Sequence, residues 1–222
     1  NFKFSNQVEA CIFPPMTYVD YLNELVSKLP ISVGGQNCHY KNYGAFTGEV
    51  SPKFLRDTGC EYVIIGHSER RILNKEDNNE IKLRAQSAID NNLKVILCVG
   101  ESLIDRKNGH ANEFVEKQLL QCLPNNFVNS LIAYEPIWSI GSGKIPNNYE
   151  IDEMHKNIKK FINQMINKEI KVLYGGSVNS VNINNILDIP NVDGVLVGGA
   201  SLKAKDFLAI YTAAVKHLNN FL

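Results

Sequence analysis

Three kinds of group in this 222-residue sequence stand where they can do chemistry. The first is a carboxylate. Leu131 to Tyr134 is a short apolar run, Glu135 stands at its end, and Pro136, Trp138, Gly141 and Gly143 follow within the stretch Ala133-Tyr-Glu-Pro-Ile-Trp-Ser-Ile-Gly-Ser-Gly-Lys144. A carboxylate at a strand end, ahead of a loop with stiff ends and a glycine tip, suits a base under a moving lid that excludes water. The same residues also spell a strand, a capping glutamate and an ordinary turn.

The second group is His67 in Gly66-His67-Ser68-Glu69-Arg70-Arg71, directly after the apolar run Tyr62–Ile65. An imidazole there can polarise a carbonyl or shuttle a proton. If the following residues open a helix, its N–H groups and positive end disfavour the charged imidazolium. Taken alone, His67 reads more readily as a satisfied structural histidine. Glu69, Arg70 and Arg71 equally suit an ion-pair cluster, which perturbs pKa values without catalysis.

The third group is backbone. Gly175-Gly176-Ser177 follows Lys171–Tyr174, and Gly198-Gly199-Ala200-Ser201 follows Gly194–Val197. Glycine turns let amide N–H groups approach an oxyanion closely. One such pair is only a tight turn; two, after consecutive strands, point to phosphate. Neither turn carries a lysine or arginine, so neutral amides and a helix end would hold the anion.

These groups need strands to position them. Val8–Phe13, Ile31–Gly35, Tyr62–Ile65, Lys94–Val99, Leu131–Tyr134, Lys171–Tyr174 and Gly194–Val197 are short and mostly apolar, as parallel strands buried on both faces are. Helical patterns lie between them. Ser51-Pro52 reads as an N-cap with proline at the first helical position, opening Lys53–Thr58. Ile81, Ala85, Ala88 and Ile89 mark one face, and Phe114, Val115, Gln118 and Leu119 another. Ile151, Met154, His155, Ile158, Phe161, Ile162 and Met165 form the clearest stripe, followed by Phe207, Leu208, Tyr211, Ala214, Val215 and Leu218. Strict alternation implies an α/β fold with a parallel sheet, open or closed into a (β/α)8 TIM barrel. About seven strands are visible by this reading, one short of a barrel, and the shortage is at the front. Each candidate group falls past the C-terminal end of a strand, the face on which barrels build active sites.

The chain reads as one domain over residues 1–222, with no linker, repeat beyond the βα alternation, or low-complexity run. Lys+Arg and Asp+Glu balance at 23 each, so no net field favours nucleic acid or an anionic membrane. The five cysteines (11, 38, 60, 98, 122) lack metal-ligand spacing, and four lie in or beside apolar runs, which suits buried thiols in a reducing cytoplasm. No run approaches the roughly 18 apolar residues of a membrane span, and no signal peptide is visible.

Together these segments resemble the triosephosphate isomerase family. Ala133–Lys144 resembles its base-and-lid segment, Gly66–Arg71 its electrophile segment, and Tyr174–Val178 and Val197–Leu202 its phosphate loops. Gln36-Asn-Cys38, Gly44-Ala-Phe-Thr-Gly-Glu49 and Cys98-Val-Gly-Glu101 match in the same order, from about Val8 to the C-terminus. The resemblance implies interconversion of dihydroxyacetone phosphate and glyceraldehyde 3-phosphate without metal or cofactor. Glu135 would move the carbon-bound proton, neutral His67 would polarise the carbonyl and move protons between oxygens, and Ser68 and Glu69 would support the site. The family is itself a standard example of a histidine kept neutral by a helix N-terminus, so that point is carried by the resemblance. Gly141, Ser177, Gly198 and Gly199 would donate N–H groups to the phosphate. A homodimer through the Gly44–Glu49 loop is implied, with Thr47, Gln36, Arg70 and Glu76 bridging or buttressing it; composition alone reads that stretch as a surface loop.

Departures are also visible. The family opens with a βα unit carrying an Asn and a catalytic Lys, and Asn1-Phe2-Lys3 resembles that signature only superficially, so Lys3 is assigned no role. The expectation is that about 30 further residues, the size of one βα unit, precede Asn1 in the parent protein. Pro146, at the far lid hinge, is expected to restrict lid motion. Asn74-Lys75 replaces a usual aromatic-glycine pair, and nothing in the sequence explains it. Two competing readings are a catalytically impaired, truncated barrel acting as a binding or moonlighting protein, and a different phosphosugar enzyme such as an aldolase or epimerase. The last would want a Schiff-base lysine or metal ligands at strand ends, and none is evident.

Overall fold

The computed structural model describes residues 4–140 and 146–219. Strands and helices alternate along it. β1 (Ala10–Ile12) is followed by a 3-10 turn (Met16–Tyr18) and α1 (Val19–Val26), then β2 (Ile31–Gly35) and α2 (Pro52–Asp57). β3 (Tyr62–Ile65) precedes α3 (Ser68–Leu73) and α4 (Asn78–Asp90); β4 (Lys94–Val99) precedes α5 (Leu103–Lys107) and α6 (Ala111–Cys122). β5 (Leu131–Tyr134) leads through a 3-10 turn (Ile137–Ser139) to α7 (Asn148–Ile166), and β6 (Lys171–Tyr174) to α8 (Ile183–Leu187). β7 (Gly194–Val195), a 3-10 turn (Gly199–Leu202) and α9 (Ala204–Asn219) complete it.

The chain divides into two compact units, Asn1–Cys98 with Leu120–Ser130, and Val99–Leu119 with Leu131–Leu222. In the first, β1 to β4 pair in order and in parallel: Ala10 stands opposite Ile31, Gly34 opposite Tyr62, and Tyr62 opposite Lys94. In the second, Leu131 to Tyr134 stand opposite Lys171 to Tyr174, and Leu173 opposite Gly194, again in parallel. Every residue of β3 is buried, as are Val95 to Val99 of β4 and Ile132 to Tyr134 of β5. That is why these runs are apolar without alternation: side chains on both faces of each strand are out of water.

Five of the expected strands appear with the expected bounds, and two are shorter. The first contracts from Val8–Phe13 to Ala10–Ile12; at its C-terminal end Pro14 and Pro15 have no N–H to extend the ladder. The last contracts to Gly194–Val195, although Leu196 N–H still donates to Tyr174 O at 2.9 Å.

Helix starts follow local chemistry. Ser51 accepts from Phe54 N–H ahead of Pro52, Asp77 accepts from Glu80 N–H, and Ser102–Asp105 and Asn147–Glu150 form reciprocal capping boxes. The long helix α7 ends where Asn167 turns left-handed at φ 52°. Of its stripe, Ile151, Met154, His155, Ile158 and Ile162 are buried as expected, while Phe161 is only half-buried and Met165 is exposed. On α4, Arg84 joins Ile81, Ala85 and Ala88 in the interior. On α9 the buried residues are Ile210, Tyr211 and Ala213, because its apolar side chains span a wider arc than the neighbouring elements cover. All five cysteines are free thiols, and burial pushes Cys38 up to about 12. Among the described residues, no helix is long and apolar enough to cross a membrane.

His155, inside the α7 stripe, is fully buried with Nδ1 3.2 Å from Asn191 O. Burial pushes its imidazole down from 6.5 to about 4. The folded state therefore resists a proton that the unfolded chain accepts readily. Stability is intact above the unfolded value and falls as pH drops from 6.5 towards 4, by up to about 3 kcal/mol. Urea melts across that window will show the loss, and His155→Leu will remove this component of the slope.

Candidate active site

β5 delivers Glu135. Its backbone N–H donates to Val99 O at 2.7 Å, and the next strand is tied in by Gly175 N–H to Tyr134 O at 2.8 Å. The residue is only 2% exposed. Two glycines make this approach possible. A Cβ on Gly100 would lie 1.7 Å from Glu135 O, and one on Gly175 would lie 2.9 Å from Glu135 Cγ. Neither position tolerates a side chain without moving the carboxylate-bearing backbone or its stem. Gly100 lies inside the Cys98–Glu101 motif, but its spatial role was invisible in the sequence.

The loop leaving Glu135 is anchored on Glu101, which is fully buried. Glu101 O accepts from Ile137 N–H at 3.1 Å. Its Oε1 accepts from Arg106 Nε at 3.0 Å, Tyr134 Oη at 3.1 Å and Trp138 Nε1 at 3.0 Å, and pairs with Arg106 Nη2 at 2.9 Å. A buried carboxylate needs such pairing to remain in the core. Arg106 was missed in the sequence reading; the only local signal is its place on a helix opened by the Ser102–Asp105 box. Gly141 lies outside the described residues, as do Asn1 to Lys3.

The glycine turns lie in the same unit. Ser177 Oγ donates to Ser139 O at 2.9 Å, and Asn182 Nδ2 donates to Ser177 O at 2.9 Å. A Cβ on Gly176 would lie 2.2 Å from Tyr174 Oη, so this glycine is required by close packing. Gly198 and Gly199 differ: both are exposed, and among the described residues a Cβ at either would meet nothing within 4 Å. Ser201 closes the turn, donating from both N–H and Oγ to Gly198 O at 2.8 and 2.7 Å. At these strand ends the second unit thus holds Glu135, Ser177, Gly198 and Gly199.

The first unit holds His67, Ser68 and Glu69 after β3. Gly66 turns the chain at φ 74°, and His67 becomes the N-cap of α3. His67 Nδ1 accepts from Glu69 N–H at 3.3 Å. The Glu69 carboxylate also lies 3.9 Å from Nδ1, an ion pair only if that nitrogen is protonated. The two arrangements exclude each other at one atom. The backbone bond is the shorter and the carboxylate is 72% exposed; with Nδ1 accepting from Glu69 N–H, Nε2 is the ring nitrogen left to donate. Ser68 is buried.

Arg70 and Arg71 do not form the single cluster with Glu69 that their adjacency suggests. Arg71 pins the turn: Nε donates to Gly66 O at 2.7 Å, Nη1 to Asn78 Oδ1 at 2.6 Å and Nη2 to Cys98 O at 3.0 Å. Arg70 instead pairs with buried Glu76 at 2.6 Å. Arg84, also absent from the sequence reading, reaches Glu76, Glu80 and Glu49 at 3.6, 2.7 and 3.1 Å. Among the described residues, no group of three or more His, Cys, Asp or Glu side chains could hold a metal ion.

The family model for triosephosphate isomerase matches residues 1–214. A triosephosphate isomerase of Hahella chejuensis is 42% identical, over 97% of this chain and 89% of its own. One of Finegoldia magna is 43% identical, over 91% of this chain and 84% of its own. Among solved structures, the triosephosphate isomerase of Bartonella henselae superimposes with a TM-score of 0.87 at 36% identity, covering 93% of this chain and 86% of that one. The α/β fold is accordingly that of the TIM barrel, with seven of its strands among the described residues.

The clearance at Gly100 is the most exacting feature of the support beneath Glu135. Gly100→Ala should destabilise the protein by about 2–3 kcal/mol, at the upper end of overpacking costs. Chemical denaturation checks the loss, and a solved structure of the variant should show the Glu135 backbone displaced.

Proposed function

Because the chain belongs to the triosephosphate isomerase family, we infer that it interconverts dihydroxyacetone phosphate and glyceraldehyde 3-phosphate, with Glu135 as the base. The observation that carries this reading is a carboxylate held almost out of water at a strand end, backed by two glycines. Glu135 takes a proton from the carbon beside the carbonyl and leaves an enediolate; the same carboxyl returns it to the neighbouring carbon. His67 acts as a neutral donor through Nε2–H, first to the carbonyl oxygen and then between the two oxygens of the intermediate. Its Nδ1 is occupied by Glu69 N–H, which supports that tautomer. Such proton transfers by positioned groups need no co-reactant, since the substrate and product are isomers.

The phosphate of the triose is held by the amides of Ser177, Gly198 and Gly199, joined by Gly141 of the lid. The open space before the last glycine pair supports this. Ser68 and Glu69 position the histidine. The protein works as a homodimer through the Gly44–Glu49 loop, where Tyr43 is 77% and Phe46 38% exposed. A cavity of about 200 Å³ bordered by Gln36, Asn37, Glu49 and Arg70 gives such a loop a place to dock. The free thiols suit a reducing cytoplasm.

A coupled assay for glyceraldehyde 3-phosphate tests the assignment. Glu135→Gln should lower kcat by about 10²–10⁴-fold, and His67→Gln by about 10²–10³-fold as a lost electrostatic donor. A Glu135→Gln enzyme with wild-type turnover would sink the reading. Sedimentation should give twice the mass of one chain, and Thr47→Glu should shift it towards the monomer.

A further inference from the structure

Strand β7 carries the Gly198–Gly199 turn, yet it is only two residues long. Few ladder bonds therefore fix where it begins, and a strand so short is weakly specified by its own pairing. The segment just before it is held instead by α7. Asp152, His155 and Lys159 lie at i, i+3 and i+7, one face of the helix. Asp152 Oδ1 accepts from Asn191 Nδ2 at 2.7 Å, and His155 Nδ1 lies 3.2 Å from Asn191 O. Lys159 Nζ donates to Asp193 Oδ1 at 2.9 Å. Asp193 passes the hold on to β6, its Oδ2 accepting from Val172 N–H at 2.7 Å while its own N–H donates to Val172 O at 3.1 Å.

His155 is the central and most buried of the three. A carbonyl only accepts, so the proton of the ring sits on Nδ1. Nε2 is then an acceptor, and among the described residues it has no hydrogen-bond partner. An apolar residue would fill the same volume without that unmet bond. The ring also packs edge-on to Tyr134 at 5.7 Å and lies 6.4 Å from Tyr174, the residues just before Glu135 and Gly175. Packing alone does not call for an imidazole here; the bond to Asn191 O does.

We propose that His155 is a positioning residue for the phosphate end of the substrate: by fastening Asn191 to α7 it sets the start of β7, and hence the placement of the Gly198 and Gly199 amides. This rests on the reading of those amides as phosphate donors. The backbone of Glu135 is held separately, its N–H donating to Val99 O, so Glu135 should keep its place when the fastening is cut.

The test separates phosphate binding from chemistry. His155→Leu keeps bulk and removes the N–H. It should raise KM for the triose phosphate and Ki for inorganic phosphate on the order of tenfold, the scale of a small misplacement of binding groups. Turnover of unphosphorylated glyceraldehyde should stay within about twofold, since the base is untouched. His155→Asn, whose amide can donate to the same carbonyl, should recover part of the loss. If His155→Leu does not fold, Lys159→Met cuts the same clamp at its more exposed end and should raise the phosphate Ki in the same direction. An unchanged phosphate Ki, or an equal loss on glyceraldehyde, would overturn the proposal and leave His155 a packing residue. Failure of inorganic phosphate to compete in the wild-type enzyme would instead overturn the phosphate-loop reading beneath it.

Discussion

A carboxylate can sit almost out of water at the end of a strand only if the backbone beneath it has nowhere else to go. Here that constraint is the 2.7 Å bond from Glu135 N–H to Val99 O, made beside a glycine whose missing Cβ would overlap the Glu135 carbonyl. Everything downstream inherits its position. Tyr134 enters the buried Glu101–Arg106 pair from one side of Glu135, and Trp138 enters it from the other. The loop that follows thus begins at a fixed point.

Charge is handled locally throughout. The chain is balanced overall, and neither glycine turn contains a cation. The glycine turns therefore offer only neutral N–H groups. Full charges are kept in the scaffold, each with a partner: Arg71 on two carbonyls beneath the His67 turn, Arg106 on Glu101, and Arg84 among three glutamates. Breaking any buried pair would leave an uncompensated charge, which costs far more than the pair gains by forming. These arginines are thus better understood as fixing geometry than as adding stability.

The two glycine turns show why a shared sequence feature can have different physical causes. Gly176 is a glycine because Tyr174 Oη and Ser139 Oγ crowd its Cβ position, whereas among the described residues nothing lies within 4 Å of a Cβ on Gly198 or Gly199. Crowding explains the first from within the protein and does not explain the other two.

What the linear order determined by itself was whatever depends on neighbours in the chain. The apolar runs Tyr62–Ile65 and Leu131–Tyr134 needed no tertiary knowledge to read as buried parallel strands, and Ser51-Pro52 to read as a helix start. The same holds for the placement of Glu135, His67 and the glycine pairs just past strands. Tertiary structure alone decided the contacts between residues far apart in sequence. That Gly100 must be bare because Glu135 crosses it, and that Arg84 is buried on an otherwise apolar helix face where it meets Glu49, both arise from residues meeting across dozens of positions. Periodicity reports which face of an element turns inward; it carries no information about which distant side chain waits there.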